Sequence, residues 1–478
     1  MFRKEVAVAC LTLACLAPPA LAGDWTQFRG PNGTAVSPEK ELPAEWGGDK
    51  NVAWKVKLDG YGWSCPIVVG DKVFVTTAVS DKQKKPTGGF GGFGGGAGGG
   101  RGGFGNRRPP DEVYKWEVYC LNAADGKVIW KQVAAERKPA IPVHGSNTYA
   151  TETPVTDGER VYAYFGMHGV YCYDLAGKQV WKKDLGSYRM MFGHGTGSSP
   201  ALHDGRLFIQ CDNDEKSFLV ALDARTGKDL WRVDRAERTS WSTPLVWKNK
   251  VRTEVVCLGA GRVRSYDPAT GKQLWELGGT NGYCQASPVA DEEMLYVGSA
   301  GGPAFGGGFG GGPGGRGRPG GPGGGRGGFG GGNRPLFAVK AGASGDITLK
   351  DGAKSNEGVA WHLPQGGPAM ASPLLYQGHL YVLEQRGGLL NCYDAKTGKR
   401  LYRERLTGAR GFTSSPWAYE GKVFCLDDDG QTFVVQAGAE FKLLGTNEVK
   451  EMCWSSPAVA GGALYLRTVD HLFCIRRK

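Results

Sequence analysis

Ala221-Leu222-Asp223-Ala224-Arg225-Thr226-Gly227-Lys228-Asp229-Leu230-Trp231 decides how the rest of this 478-residue chain is read. The alternation before Asp223 suits a half-buried strand. Asp223 can fold its carboxylate onto the backbone N–H groups that follow, and Gly227 supplies the positive φ of a tight turn. Trp231 then starts a second strand with a large apolar ring to bury. The phrase returns as SYDPATGKQLW at 265–275, CYDAKTGKRLY at 392–402 and CLNAADGKVIW at 120–130, with a copy one residue shorter, CYDLAGKQVW, at 172–181. A two-stranded ribbon is marginal alone, so the copies must pack on one another. The sequence is that of a repeat protein.

Outward from this phrase lies a second one: small or polar residues, a Pro, then an apolar run. It is centred on Pro66, Pro154, Pro200, Pro244, Pro288, Pro373, Pro416 and Pro457. The spacing is about 44 residues with two gaps of roughly twice that, and a period of this length with four short strands is that of a propeller blade. Each long gap holds one docking segment, and its excess is largely a Gly-rich tract, at 88–105 or 301–332. Such sequence buries too little apolar area to offset its ordering entropy, so the count is eight units rather than ten. The last unit has three strands before the chain stops, whereas Val52-Ala53-Trp54-Lys55-Val56-Lys57-Leu58 is the second half of a docking phrase with no first half in front of it. The expectation is therefore all-β: an eight-bladed propeller of four-stranded antiparallel blades over 51–478. Its ring is closed by the N-terminal strand completing the last blade, which leaves no open edge.

Trp54, Trp130, Trp181, Trp231, Trp275, Trp361 and Tyr402 hold one offset from the turn. That regularity reads as blade-to-blade packing, each ring burying about 200 Å2, and not as a ligand stripe. The Gly-Lys pairs are not phosphate loops, because no Ser or Thr follows them. Residues 1–22 read as a secretory signal: Arg3 and Lys4, an apolar run, then Ala20-Leu21-Ala22. Residues 23–50 read as a lead segment draped over the body. No later stretch is long and apolar enough to span a bilayer as a helix, and the residues before Cys15 make a poor lipobox. An exported protein of the periplasm or cell exterior, with peripheral outer-membrane association open to it, is expected.

Cys120, Cys172, Cys392 and Cys474 share one repeat register, so most thiols are expected buried and free rather than paired. Much of the formal charge of +11 sits in the inserts, about 81–112 and 300–334, and the remaining body is too mildly basic for nucleic acid. Both inserts fall in the turn between the second and third strands, in opposite blades. They should emerge on the face that carries the channel mouth, as expanded linkers first and adhesive arms second. The mouth itself should be ringed by the residues two and three before each Pro, giving Trp63, Thr151, Glu152, Trp241, Gln285, Met370 and Trp454 as the ligand or partner surface. Glu152 is the one carboxylate there, hence the weak candidate for binding a metal or cofactor. A lone Glu is more often simply ion-paired or hydrated.

The pattern Ala-x-Asp-x-x-Thr-Gly-Lys-x-x-Trp at 221–231 resembles the tryptophan-docking motif of pyrroloquinoline-quinone (PQQ)-like repeat propellers, and the resemblance spans about 51–478. That superfamily holds quinoprotein alcohol and glucose dehydrogenases and a cofactor-free, BamB-like branch. The dehydrogenase branch implies adjacent cysteines against the quinone and calcium held by a Glu, an Asn and an Asp. Here no two Cys are adjacent and only Glu152 could stand for the first ligand, so no catalytic residue is carried over. The resemblance thus implies an exported, monomeric, non-catalytic scaffold for a protein or envelope polymer, BamB-like, with no cofactor. The alternatives are a PQQ- and calcium-dependent dehydrogenase using Glu152, and a carbohydrate-binding propeller using Trp63, Trp241 and Trp454.

Overall fold

Blade 3 shows how the repeat folds. Ala201–His203, Arg206–Cys211, Phe218–Asp223 and Asp229–Asp234 pair in that order, each antiparallel to the next, with Ala221 opposite Trp231. At the turn, Asp223 Oδ1 accepts the backbone N–H and the hydroxyl of Thr226, each at 2.8 Å, and Gly227 takes φ +70°. In this computed structural model residues 23–88, 108–282, 284–300, 333–385 and 387–477 are described. The expected signal peptide, and the Gly-rich stretches at 89–107 and 301–332, lie outside the described residues.

Eight such sheets form the ring. The eighth is completed by Val52–Lys57, which pairs antiparallel with His471–Arg476 and sets Trp54 opposite Cys474. Closure by the two ends of the propeller is therefore as expected. Blade 4 departs from the pattern: residues Gly345–Asp346, from the connection before the last strand of blade 5, add a fifth, parallel strand to its outer edge.

The docking rings lock neighbours together by a repeated contact. Trp54, Trp130, Trp181, Trp231 and Trp361 each donate Nε1–H to a turn carbonyl of the next blade, at 3.0–3.1 Å. The ring face lies over that turn's glycine, so closely that a Cβ on Gly227 would come within 2.6 Å of the Trp181 ring. The glycine is thus required twice, for its positive φ and for this approach. Trp275 donates instead to the buried Glu254, at 2.6 Å, because blade 5 has no such turn to offer. In blade 7 the docking position, opposite Val434, is Gly445.

All ten cysteines of the described residues are free, nine of them buried and Cys211 partly exposed. They serve as small apolar fillers, and burial pushes thiols such as Cys120 and Cys172 up to about 12, which keeps them protonated.

The lead is not merely draped. It crosses the end of the channel opposite the mouth and pairs with one blade after another. Trp25 exchanges backbone hydrogen bonds with Val68 in blade 1, at 2.9 and 2.8 Å, and Thr26 O accepts from Thr156 N in blade 2. Arg29 reaches the carbonyls of Pro288 and Pro373 in blades 5 and 6, the first at 3.4 Å. Ala418 N donates to Ala35 O in blade 7, and Glu39 accepts from Gly461 N and Gly462 N in blade 8. Trp25, Ala35, Leu42 and Trp46 are buried, and that apolar area is what holds the segment against the ring.

Candidate functional site: the axial cavity

The innermost strand of each blade has no sheet neighbour on its channel side, so its first N–H groups need acceptors. The residue before each recurring Pro supplies them across blades. Cys65 N donates to Thr153 Oγ1, Thr153 N to Ser199 Oγ, Ser199 N to Thr243 Oγ1 and Thr243 N to Ser287 Oγ, all at 2.9–3.0 Å. Ser287 N then donates to Ser372 Oγ, Ser372 N to Ser415 Oγ and Ser415 N to Ser456 Oγ, at 2.8–3.0 Å. Ser456 N closes the circuit on Cys65 Sγ at 3.2 Å. This belt girdles a cavity of about 170 Å3 on the axis, with Phe28 of the lead in its floor.

Above the belt, the residues three before each Pro also face the cavity: Trp63, Thr151, Gly197, Trp241, Gln285, Met370, Thr413 and Trp454. Trp63 and Trp454 stack, ring centroids 5.5 Å apart at 26°. His194 lies 4.9 Å from His144 and 5.9 Å from Trp241, and His144 meets Ser146, the residue that also holds Trp63, so these rings form an aromatic crescent. Trp63 Nε1 donates to Ser146 O at 2.9 Å and Trp241 Nε1 to Gly195 O at 2.8 Å, which fixes both indoles. Trp454 Nε1 and Thr413 Oγ1 are buried with no protein partner among the described residues. They are the groups a ligand or water would satisfy.

Glu152 is out of phase with this ring. It is 1% exposed and lies in the wall, with Oε1 lacking a hydrogen-bond partner. Burial pushes its carboxyl up to about 7, against a smaller opposing hydrogen bond from Thr196. Side chains alternate along a strand, so positions three and one before the Pro share the channel side and position two points away. Placing Glu152 with the mouth residues contradicts that alternation, which also identifies the belt that the sequence reading passed over. His144 and His194 come from connections between blades, where no repeat register marks them.

The residues present also bear on calcium and quinone. Calcium takes oxygen ligands, usually several carboxylates among them. The described lining has hydroxyls, one thiol, two imidazoles and amide groups, but no carboxylate, lysine or arginine. With Glu152 in the wall, the described cavity does not fit a calcium-bound quinone.

Comparison with known proteins completes the picture. The family model described as outer membrane protein assembly factor BamB matches residues 166–306 and 348–439. The chain is a PQQ-like repeat β-propeller. This propeller superposes on BamB from Moraxella catarrhalis with a TM-score of 0.53, at 11% identity, over 89% of this chain and 97% of that one. It superposes on the quinohemoprotein alcohol dehydrogenase from Comamonas testosteroni with a TM-score of 0.58, at 12% identity, over 96% of this chain and 82% of that one. At such identities these likenesses speak for the fold alone. A curated relative, the lanthanide-dependent methanol dehydrogenase of Methylacidiphilum fumariolicum (strain SolV), is 38% identical over 82 residues, which cover 16% of this propeller and 13% of that enzyme. Among the described residues no helix is long and apolar enough to cross a membrane.

Proposed function

We propose that this propeller is an exported, non-catalytic scaffold that binds a protein along the outer edge of blade 1. The edge carries the reading. The outer strand, Val128–Arg137, spans ten residues where the outer strands of blades 3, 4, 6 and 7 span six. Among the described residues it pairs on one side only, with Tyr114–Asn122. Val128, Ile129 and Val133 are 48, 46 and 46% exposed along it. A long unpaired edge with aliphatic side chains is a template for an added strand, and proteins usually blunt such edges. Its far end, at Arg137, stands beside Tyr114 on the face where the first insert leaves the blade. The match to an assembly-factor family and the absence of a carboxylate from the described cavity lining support the same reading.

The test uses the full chain and the double variant Ile129→Lys, Val133→Lys in capture from cell-envelope extract. A protein retained by the wild type should be lost from the variant while circular dichroism stays unchanged; equal retention would remove the edge from the proposal. In a second arm, PQQ and calcium are added and dye-linked alcohol oxidation is followed. No turnover is expected, and saturable oxidation that disappears in Glu152→Gln would overturn the non-catalytic half. A second reading, capture of a neutral saccharide in the mouth, is favoured by the stacked Trp63–Trp454 pair above a hydroxyl belt.

A further inference from the structure

Two guanidiniums are buried here with no acidic partner among the described residues. Arg29 and Arg467 are 2 and 1% exposed, and burial alone is the chief influence on each. Arg467 is engaged by Ser64, donating Nη1–H to its carbonyl at 3.1 Å and to its hydroxyl. Arg467 Nε has no partner among the described residues, and the same holds for Arg29, which meets backbone carbonyls alone. The two terminal nitrogens of Arg29 reach Pro288 O and Pro373 O. Burial pulls this guanidinium down to about 9, a measure of how poorly its charge is compensated. A carbonyl pair satisfies hydrogen bonds but brings no negative charge.

Beside Arg29 is a second, smaller cavity of about 20 Å3, under the belt between the lead and the inner strands of blades 3 to 5. That is room for one water or one small ion. Its walls include Arg29, Phe28, Thr243 and Ser287, with no carboxylate among the described residues. Thr243 Oγ1 and Ser287 Oγ already accept backbone N–H groups in the belt, from Ser199 and Thr243. A hydroxyl that accepts still has its own hydrogen to donate. A guanidinium with an unpartnered N–H and two hydroxyl-bearing residues thus share the wall of a space of one-atom size. Water would satisfy the donors and leave the charge bare, whereas an anion does both.

We propose that this cavity seats a single small monovalent anion of chloride size, held by Arg29 with Thr243 and Ser287. The ion neutralises the floor of the channel and ties the lead to the inner strands of blades 4 and 5. The inference is independent of what the scaffold binds. Crystals of the full chain soaked in sodium bromide should give an anomalous peak in this cavity. Melting followed at equal ionic strength should show a saturable rise in Tm with chloride or bromide that gluconate does not reproduce, and Arg29→Gln should abolish the difference. A cavity holding water with no bromide signal, or equal Tm in chloride and gluconate, overturns the proposal. If Arg29→Gln fails to fold, the bromide peak in the wild type decides.

Discussion

The indole of Trp46 stacks on Phe424, ring centroids 6.1 Å apart at 23°. Phe424 occupies the second strand of blade 7, where the equivalents Phe74, Tyr162, Phe208, Tyr296 and Tyr465 each carry their own blade's docking tryptophan at 5.8–5.9 Å. Blade 7 has Gly445 at that docking position, and the lead brings the ring instead. Asn447 clamps it there, accepting from Trp46 N at 3.0 Å and donating to Ala44 O at 2.9 Å.

Trp46→Ala should therefore behave as the loss of a core docking residue, although Trp46 lies outside the eight repeats. A destabilisation of about 3–5 kcal/mol is expected for truncating a buried Trp, read from urea unfolding followed by circular dichroism. A loss under about 1 kcal/mol would mean the lead's ring is incidental.

Gly126 and Gly70 both sit in turns with positive φ, +73° and +56°. Only at Gly126 would a Cβ meet a neighbour, 2.7 Å from the Trp54 ring, while Gly70 has open space. Gly70→Ala should cost about 1 kcal/mol, the price of the backbone alone, and Gly126→Ala clearly more, because it also lifts the docked ring at the ring closure. Equal losses in denaturant midpoint would show that docking tolerates the methyl.

Ser372→Ala removes the acceptor of the Ser287 N–H and breaks the belt at one link. An orphaned buried donor costs about 1–3 kcal/mol. Amide exchange at Ser287 should speed up locally, and Ser372→Cys should restore part of the protection, as Cys65 does for Ser456.

Glu152 gives a pH signature. Its carboxyl titrates near 7 in the fold because it is buried, but in the ordinary carboxylate range when unfolded. The unfolded chain releases this proton first, so this residue's contribution to stability falls as pH rises from about 4.5 to about 7 and is level above that. Asp428, pushed up to about 6 mainly by burial, works in the same direction. Glu152→Gln should gain on the order of 3 kcal/mol at pH 8 and almost nothing at pH 4.5. A gain independent of pH would contradict a buried, titrating carboxyl.

If the mouth takes neutral saccharides, intrinsic fluorescence should shift saturably with an oligosaccharide, and the shift should vanish in Trp63→Ala. Indifference across a panel of neutral and acidic sugars would retire that reading.

The fold was legible because its determinants recur: one Pro phrase marks every blade, one turn chemistry and one docking ring mark most of them, and the orphan strand at Val52–Lys57 announces the closure. Three of the mouth's tryptophans followed from the same register. What stayed hidden does not repeat. His144 and His194 sit in connections of irregular length. The lead's Arg29 and Trp46 carry no periodic signal, and their partners lie hundreds of residues away. Glu152 was legible in principle, since strand alternation alone turns it from the channel into the wall.

The lead also imposes an order of events. Ala35, Glu39 and Trp46 are synthesised hundreds of residues before Ala418, Phe424, Asn447 and Gly461, against which they rest. Contacts so distant along the chain must wait until blades 7 and 8 have been synthesised. Until then Trp25 can already pair with Val68 in blade 1, but the indole of Trp46 has no Phe424 to cover it and stays exposed to water and to other chains.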